Sequence, residues 1–113
     1  TKLQQEIRLA IGKIPTLRLF RNQVGQLPDP RTGRYVQFGL AKGSSDLIGF
    51  KKIKITEEMI GQEIAQFVSI EIKTEKGKLT PQQNNWLNFI SKSGGITGVA
   101  RSIKDVFNIL SLS

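Results

Sequence analysis

The first apolar pattern along the chain has the spacing of a helix. Five apolar residues recur three or four positions apart: Leu3, Ile7, Ala10, Ile11 and Ile14. Side chains at these spacings share one face of an α-helix, so the pattern predicts an amphipathic helix over residues 2–14 that Pro15 ends. A strand is then predicted over residues 17–22, Leu-Arg-Leu-Phe-Arg-Asn.

A long connection separates this strand from the next apolar run. Residues 23–45 are rich in Gly, Pro and polar side chains. Within them, residues 28–33 have the composition of a turn, and residues 34–38 are compatible with a short returning strand. A connection longer than about 12 to 15 residues in a small domain usually binds something or moves.

Strand and helix patterns alternate in the second half. Strands are predicted over residues 46–50 (reaching residue 55 at most), 67–73 and 96–100, with a short helical turn at 56–59 that Gly61 closes. Thr80 and Gln83 form a capping box with a proline at the first helical position, which predicts a helix ending near Ser93. Ser102 is expected to cap a last helix.

These elements follow the order helix, strand, strand, strand, helix, strand, helix, which is typical of an α/β fold. We expect one domain over residues 1–113, because a chain of this length has little room for a second core. On the middle helix, Trp86 shares the spacing of Leu87 and Ile90, which favours a core position over base stacking.

The strand over residues 67–73 carries the first candidate chemistry. Its apolar residues alternate with Glu71 and Lys73, so the carboxylate and the ammonium share the polar face. Asp46 begins another apolar strand and would supply a second carboxylate if the two strands pair. These carboxylates and the backbone carbonyl of Ile72 are oxygen ligands of the kind that Mg²⁺ takes. The alternative is an exposed strand face with a surface ion pair, because a Glu-x-Lys triplet is common by chance.

Composition restricts any catalysis to carboxylates, lysines and a hard cation. The chain has no cysteine and no histidine, which excludes thiolate nucleophiles, zinc–thiolate sites and a histidine general base. Mg²⁺ or Mn²⁺ held by Asp46 and Glu71 would activate water for phosphodiester hydrolysis, with Lys73 orienting that water and stabilising the transition state. No membrane-length apolar run and no signal peptide is visible, so we expect a cytoplasmic protein.

Charge points to a polyanionic partner. The net charge is +8, from 17 Lys and Arg against 9 Asp and Glu. Such an excess is typical of a nucleic-acid binder, although it also aids solubility. Five lysines near the acidic candidates are assigned to the phosphate backbone: Lys51, Lys52, Lys54, Lys76 and Lys78.

Six parts of the chain together resemble one known family: Glu6, Asn22, Gly39–Gly49, Ile70–Lys73, Thr80–Gln83 and Gly94–Arg101. The family is VRR-NUC, the virus-type replication-repair nucleases of the PD-(D/E)xK superfamily, and the resemblance covers nearly the whole chain. The chain looks most like the small stand-alone members of phages and prophages, which implies the cytoplasm of a bacterium or of a phage-infected host. The implied fold is a restriction-endonuclease-like core, a mixed central sheet flanked by helices.

The resemblance also implies roles for single residues. Asp46 and Glu71 would be the metal ligands and Lys73 the catalytic lysine. Glu6 resembles an acid that such nucleases direct toward the metal, where the alternative is a solvated helix face. Gln83 resembles the family's glutamine on the helix after the lysine strand, but its capping role alone would explain a glutamine there.

Three residues before Asp46 are further candidates for DNA contact by the same resemblance. Ser44 and Ser45 would contact phosphate or only shape the bend, and Lys42 would contact DNA or only be solvated.

The sequence thus predicts a Mg²⁺- or Mn²⁺-dependent, structure-specific DNA endonuclease. No element resembles a recognition helix that reads bases, which favours recognition of backbone shape. The resemblance suggests a homodimer that cuts branched DNA such as Holliday (four-way) junctions, with no organic cofactor and no membrane partner. Two alternatives remain open: a non-catalytic DNA-binding module on a nuclease fold, and a sequence-specific restriction or homing-type nuclease.

Overall fold

The computed structural model describes residues 1–112 as a mixed α/β chain. Its helices are α1 (Lys2–Ile11), α2 (Pro81–Lys92) and α3 (Ile103–Ile109), with a 3-10 turn at Glu57–Met59. Its strands are β1 (Leu17–Arg21), β2 (Gly25–Pro28), β3 (Tyr35–Phe38), β4 (Leu47–Lys51), β5 (Val68–Ile72) and β6 (Ile96–Ala100). The described residues divide into two compact units, one ending at Ile53 and the other beginning at Lys54.

In the first unit, α1 packs against β1, which pairs antiparallel with β4. Arg21 lies opposite Leu47 at one end of this ladder. One residue further, the N–H of Asn22 donates to the carbonyl of Asp46 at 2.9 Å and extends the pairing by a step. The strand pair therefore fixes the backbone of Asp46 immediately before β4.

The first helix is shorter than predicted. The periodic residues indicate a helix to residue 14, but α1 ends at Ile11 with Gly12 as its C-cap. Glycine has the highest conformational entropy to lose in a helix, so it ends the regular hydrogen bonding three residues before Pro15. Ile14 continues the pattern in a tighter turn, because its N–H bonds to the Ile11 carbonyl at 2.9 Å.

The long connection contains a hairpin, of which the sequence predicts only the second strand. Residues 34–38 contain β3 as predicted, and β3 pairs antiparallel with β2, which was not predicted. The side chains of Leu27 and Tyr35 remain 62% and 70% exposed. The hairpin therefore leaves apolar surface uncovered in the described structure.

The second unit holds the buried core. β5 and β6 pair in parallel through a crossover that contains α2, as parallel strands require. Leu87 and Ile90 of α2 and Ala100 of β6 are its buried hydrophobic residues, and α3 packs on β6. Trp86, which the spacing assigns to the core, is instead 38% exposed at the edge, where its indole N–H donates to Ser69 Oγ at 2.9 Å.

Helix boundaries in the second unit confirm the capping predictions. Thr80 Oγ1 accepts the N–H of Gln83 at 3.1 Å, and Gln83 Oε1 accepts the N–H of Thr80 at 3.0 Å, which completes the capping box. Ser102 caps α3 by accepting the N–H of Asp105. The predicted turn at residues 56–59 is present as the 3-10 turn, and Gly61 follows it with φ +86°.

The described strands form three two-stranded sheets: β1 with β4, β2 with β3, and β5 with β6. The single mixed central sheet stays a prediction, and so does the pairing of the Asp46 strand with the Glu71 strand. Among residues 1–112, no helix combines the length and apolar character that crossing a membrane requires.

Candidate active site

Glu71, Lys73 and Gln83 form one cluster in the second unit, held by an ion pair and a hydrogen bond. Lys73 Nζ lies 3.6 Å from Glu71 Oε1, and Gln83 Nε2 donates to the same oxygen at 2.9 Å. The side chains of Lys73 and Glu71 are 18% and 32% exposed, so the ion pair is partly shielded from water. The pair is thus half-buried and not fully exposed, and its catalytic role stays a prediction.

Two elements build this cluster. The alternation of β5 puts Glu71 and Lys73 on one face, as the sequence predicts. The capping box begins α2 at a fixed residue, so Gln83 stands in the first turn of the helix, with its amide against Glu71. Gln83 therefore makes both the capping contacts and a contact with the candidate site.

One carboxylate oxygen and one backbone carbonyl of β5 remain available. Both contacts to Glu71 use Oε1, and no side chain of residues 1–112 hydrogen-bonds to Oε2. The N–H of Lys73 bonds to the Ala100 carbonyl at 3.0 Å. Because backbone groups of successive strand residues point to opposite edges, the carbonyl of Ile72 lies on the edge of β5 away from β6.

In the first unit, Asn22 ties down the loop that leads to Asp46. Its Nδ2 donates to Ser44 Oγ at 2.7 Å and to the Ser45 carbonyl at 2.9 Å. Its Oδ1 accepts the N–H of Leu40 at 3.1 Å. Sequence reasoning assigned no role to Asn22; the signal available was its position at the end of the strand that pairs with β4.

Asp46 is exposed and faces an open polar cleft of about 300 Å³ in the first unit. Asn22, Arg21 and Gln23 line this cleft together with Gln4 from α1. Asp46 is thus accessible beside a cationic and several amide side chains, a setting suited to a bound phosphate or hydrated cation.

The structure does not bring Glu6 to this cleft. Glu6 is exposed on α1, two residues after Gln4 and thus rotated from it by about 200° around the helix axis. Gln4 lines the cleft and Glu6 does not. The assignment of Glu6 to a metal site stays a prediction.

The predicted DNA-contacting lysines all have exposed side chains: Lys42, Lys51, Lys52, Lys54, Lys76 and Lys78. Ser45 is also exposed, whereas the half-buried Ser44 accepts the hydrogen bond from Asn22. This contact supports the bend-shaping role for Ser44, and phosphate contact by either serine stays a prediction.

The predicted metal site does not depend on a cluster of three acidic or histidine side chains. No group of three or more His, Cys, Asp or Glu suited to a metal occurs in the described part of the chain. The predicted ligand set has two carboxylates, Asp46 and Glu71, and the backbone carbonyl of Ile72.

Comparison with known families identifies the class of protein. The VRR-NUC domain matches residues 3–104, which include every element from α1 to the start of α3. The chain therefore carries a nuclease domain, a hydrolase whose substrate is DNA. It belongs to the VRR-NUC family, the virus-type replication-repair nucleases. Searches of curated proteins and of solved structures returned no match.

Proposed function

We propose that the protein is a divalent-metal-dependent, structure-specific DNA endonuclease with a PD-(D/E)xK core. The observation that carries the proposal is the cluster at Glu71. Lys73 and Gln83 both contact its Oε1, which leaves its Oε2 available. A carboxylate oriented through one oxygen is prepared to bind a cation through the other.

The available groups fit a hard cation. Asp46, Glu71 and the Ile72 carbonyl offer only oxygen, which Mg²⁺ and Mn²⁺ prefer, and Glu6 is a further candidate. When bound, such a cation neutralises charge on the phosphate and lowers the pKa of a coordinated water. The chain's own contribution is to hold these oxygens in place through the ladders, the capping box and Asn22.

We assign Lys73 to contact the phosphate that reacts and to stabilise its charge. Its ammonium is held near Glu71 on a strand whose backbone is bonded to Ala100, so little reorganisation is needed when substrate arrives. A fixed positive charge in a partly shielded site stabilises the charge that develops on the phosphate oxygens. It also orients the attacking water by donating to its oxygen. Gln83 keeps the carboxylate from rotating away.

DNA binding is assigned to the exposed lysines and to Ser44 and Ser45. If about 6 to 8 phosphates are contacted, the logarithm of the affinity falls with the logarithm of salt concentration with a slope of about −5 to −7. Such contacts read backbone shape and not base sequence. This is the recognition that a branched substrate requires.

We further propose a homodimer that cuts four-way junctions. Two copies related by a two-fold axis would present two active sites to two strands of a symmetric junction. Exposed apolar residues support association, notably Tyr35 and Val36 of the hairpin and Ile103 and Phe107 of α3. The molar mass of the purified protein, measured by light scattering, tests this: a monomer at all concentrations would contradict the dimer.

The nuclease proposal is tested with labelled four-way junction and linear duplex, each incubated with Mg²⁺, Mn²⁺ or a chelator. We expect cutting of the junction that requires the metal, and the Glu71→Gln variant should bind DNA without cutting it. Equal cutting of both substrates would contradict junction specificity. Absence of cutting with every metal would contradict the nuclease.

The two alternative functions predict different results in the same experiment. A non-catalytic DNA-binding module would bind the junction in both forms and cut in neither. The cluster of Glu71, Lys73 and Gln83 argues against such a module, because DNA binding alone does not need a carboxylate held by an ammonium and an amide. A sequence-specific nuclease would give products that map to one sequence wherever the branch point is moved.

A further inference from the structure

We propose that Arg101 is a positioning residue that holds the turn after β5 in the conformation that presents Lys76 and Lys78 to DNA phosphates. The inference rests on the proposed function, since it treats these lysines as DNA contacts. Arg101 directly follows β6, and it touches neither Glu71 nor Lys73 in the described hydrogen bonds.

The guanidinium of Arg101 donates hydrogen bonds to three backbone carbonyls of one turn. Its Nη1 donates to the carbonyls of Thr74 at 2.5 Å and Gly77 at 2.7 Å, with a longer contact to Glu75 at 3.4 Å. The backbone N–H of Arg101 donates to Asp105 Oδ2 at 2.8 Å, on the first turn of α3. One residue thus connects the turn to β6 and α3.

The turn has little else to fix its shape. Among the described residues, its internal backbone hydrogen bond is the N–H of Gly77 to the Thr74 carbonyl at 3.1 Å. Its start is secured by the bond from the Lys73 N–H to the Ala100 carbonyl, but Lys76 and Lys78 are exposed. The positions of these two ammonium groups therefore depend on the contacts that Arg101 makes to the backbone between Lys73 and Lys78.

The convergence of three carbonyls on one site needs a cation. Carbonyl oxygens that point to the same place repel one another unless a charged donor lies between them, and hydrogen bonds to a charged donor are the stronger kind. Removing the guanidinium lets the carbonyls turn to water, so the turn opens locally while the ladder of β5 and β6 stays intact. The expected effect is on the lysines and not on the fold.

The first test follows amide hydrogen exchange in the DNA-free protein. Arg101→Ala should speed exchange at Gly77 at least tenfold and leave the amide of Lys73, in the ladder, unchanged. Lys104→Ala is the matched control, because it removes an exposed cation of α3 that makes no hydrogen bond to the turn. Exchange at Gly77 equal to that of the control would overturn the proposal.

The second test is a double-mutant cycle for DNA affinity, carried out in the Glu71→Gln background so that no DNA is cut. Arg101→Ala should reduce the slope of log affinity against log salt by about 2, like the Lys76→Ala, Lys78→Ala pair. Added to that pair, it should change nothing further, because the contacts it supports are already gone.

Additive effects would overturn the proposal, because they would mean that Arg101 binds phosphate itself. A protein that binds no DNA in any form would overturn the proposed function and the role of the lysines with it. The exchange measurement distinguishes the two failures, since it reports on the turn without DNA.

Discussion

Gln83 donates from Nε2 to Glu71 Oε1 at 2.9 Å while its own Oε1 accepts the backbone N–H of Thr80 at 3.0 Å. The cap occupies the amide oxygen and so leaves the amide nitrogen for Glu71. The start of α2 and the orientation of the carboxylate are therefore fixed by one side chain. The capping contact therefore does not exclude a role for Gln83 in the proposed site, and that role stays a prediction.

The Gln83→Glu variant keeps one of these contacts and removes the other, so it distinguishes their effects. Gln83→Glu keeps an oxygen for the Thr80 N–H but replaces the donor to Glu71 with a second carboxylate, so we expect slightly lower stability from charge repulsion and cutting about 10- to 100-fold slower. Gln83→Ala should lose both, with stability lower by about 0.3 to 1.5 kcal/mol. Cleavage rates and melting temperatures provide the check, with Gln82→Ala as the control. Wild-type cutting by Gln83→Glu would remove Gln83 from the site.

Asn22 should matter for cutting through the loop before Asp46. Asn22→Asp retains an acceptor for the Leu40 N–H but loses the donor to Ser44 and Ser45, so the loop is released at one end. We expect a loss of about 1 to 3 kcal/mol in the free energy of unfolding and slower cutting. Denaturant titration and single-turnover cleavage measure these effects. Unchanged cutting would show that the loop needs no such support.

The control for Asn22→Asp is Gln26→Ala. Gln26 is an exposed residue of β2 on the same connection, and its side chain makes no hydrogen bond among the described residues. Gln26→Ala should leave both the free energy of unfolding and the cleavage rate at their wild-type values.

Replacing Lys76 and Lys78 by alanine should weaken binding to every DNA sequence alike. Each lost phosphate contact reduces the salt slope by about 0.9, so the pair should reduce it by nearly 2. Fluorescence anisotropy across a series of salt concentrations measures the slope. Lys13→Ala, an exposed lysine outside the assigned set, is the control. A slope that does not change would remove both lysines from the interface.

Gly49→Ala should prevent the β1–β4 ladder from forming as observed. A Cβ at this position would lie 1.8 Å from the Arg18 carbonyl oxygen, and a paired backbone cannot move aside. Gly98→Ala provides a comparison, because the atoms nearest to its Cβ would belong to the Ile109 side chain, at 2.5 Å, and not to the backbone. We expect a loss of about 3 kcal/mol or more for Gly49→Ala and less for Gly98→Ala, measured by thermal unfolding.

Features fixed by local chemistry were predictable from the sequence. The capping box of Thr80, the Ser102 cap and the alternation of Glu71 with Lys73 depend on residues within a few positions of one another, and the structure confirms them. The family assignment is confirmed as well. It rests on residue types at fixed places and needs no knowledge of contacts.

Features that depend on distant residues were not predictable. β2 forms because Gly25–Pro28 meets β3 across a turn, although its own residues have no strand pattern. The exposure of Trp86 follows from the position of α2 over β5, where Ser69 receives the indole N–H. The hydrogen bonds of the Asn22 side chain join positions 18 to 23 residues apart, so no local spacing along the chain predicts them.

Burial is unequal between the two units, and this has a consequence for inactivation by heat. Among the described residues the fully buried hydrophobic side chains, including Ile90 and Ala100, all belong to the second unit. Resistance to local opening follows burial. On gentle warming, the loop before Asp46 should therefore loosen while β5, α2 and β6 still hold Glu71. Under the proposed function, in which Asp46 is a metal ligand, cutting should therefore stop reversibly at a temperature below the melting point of the second unit.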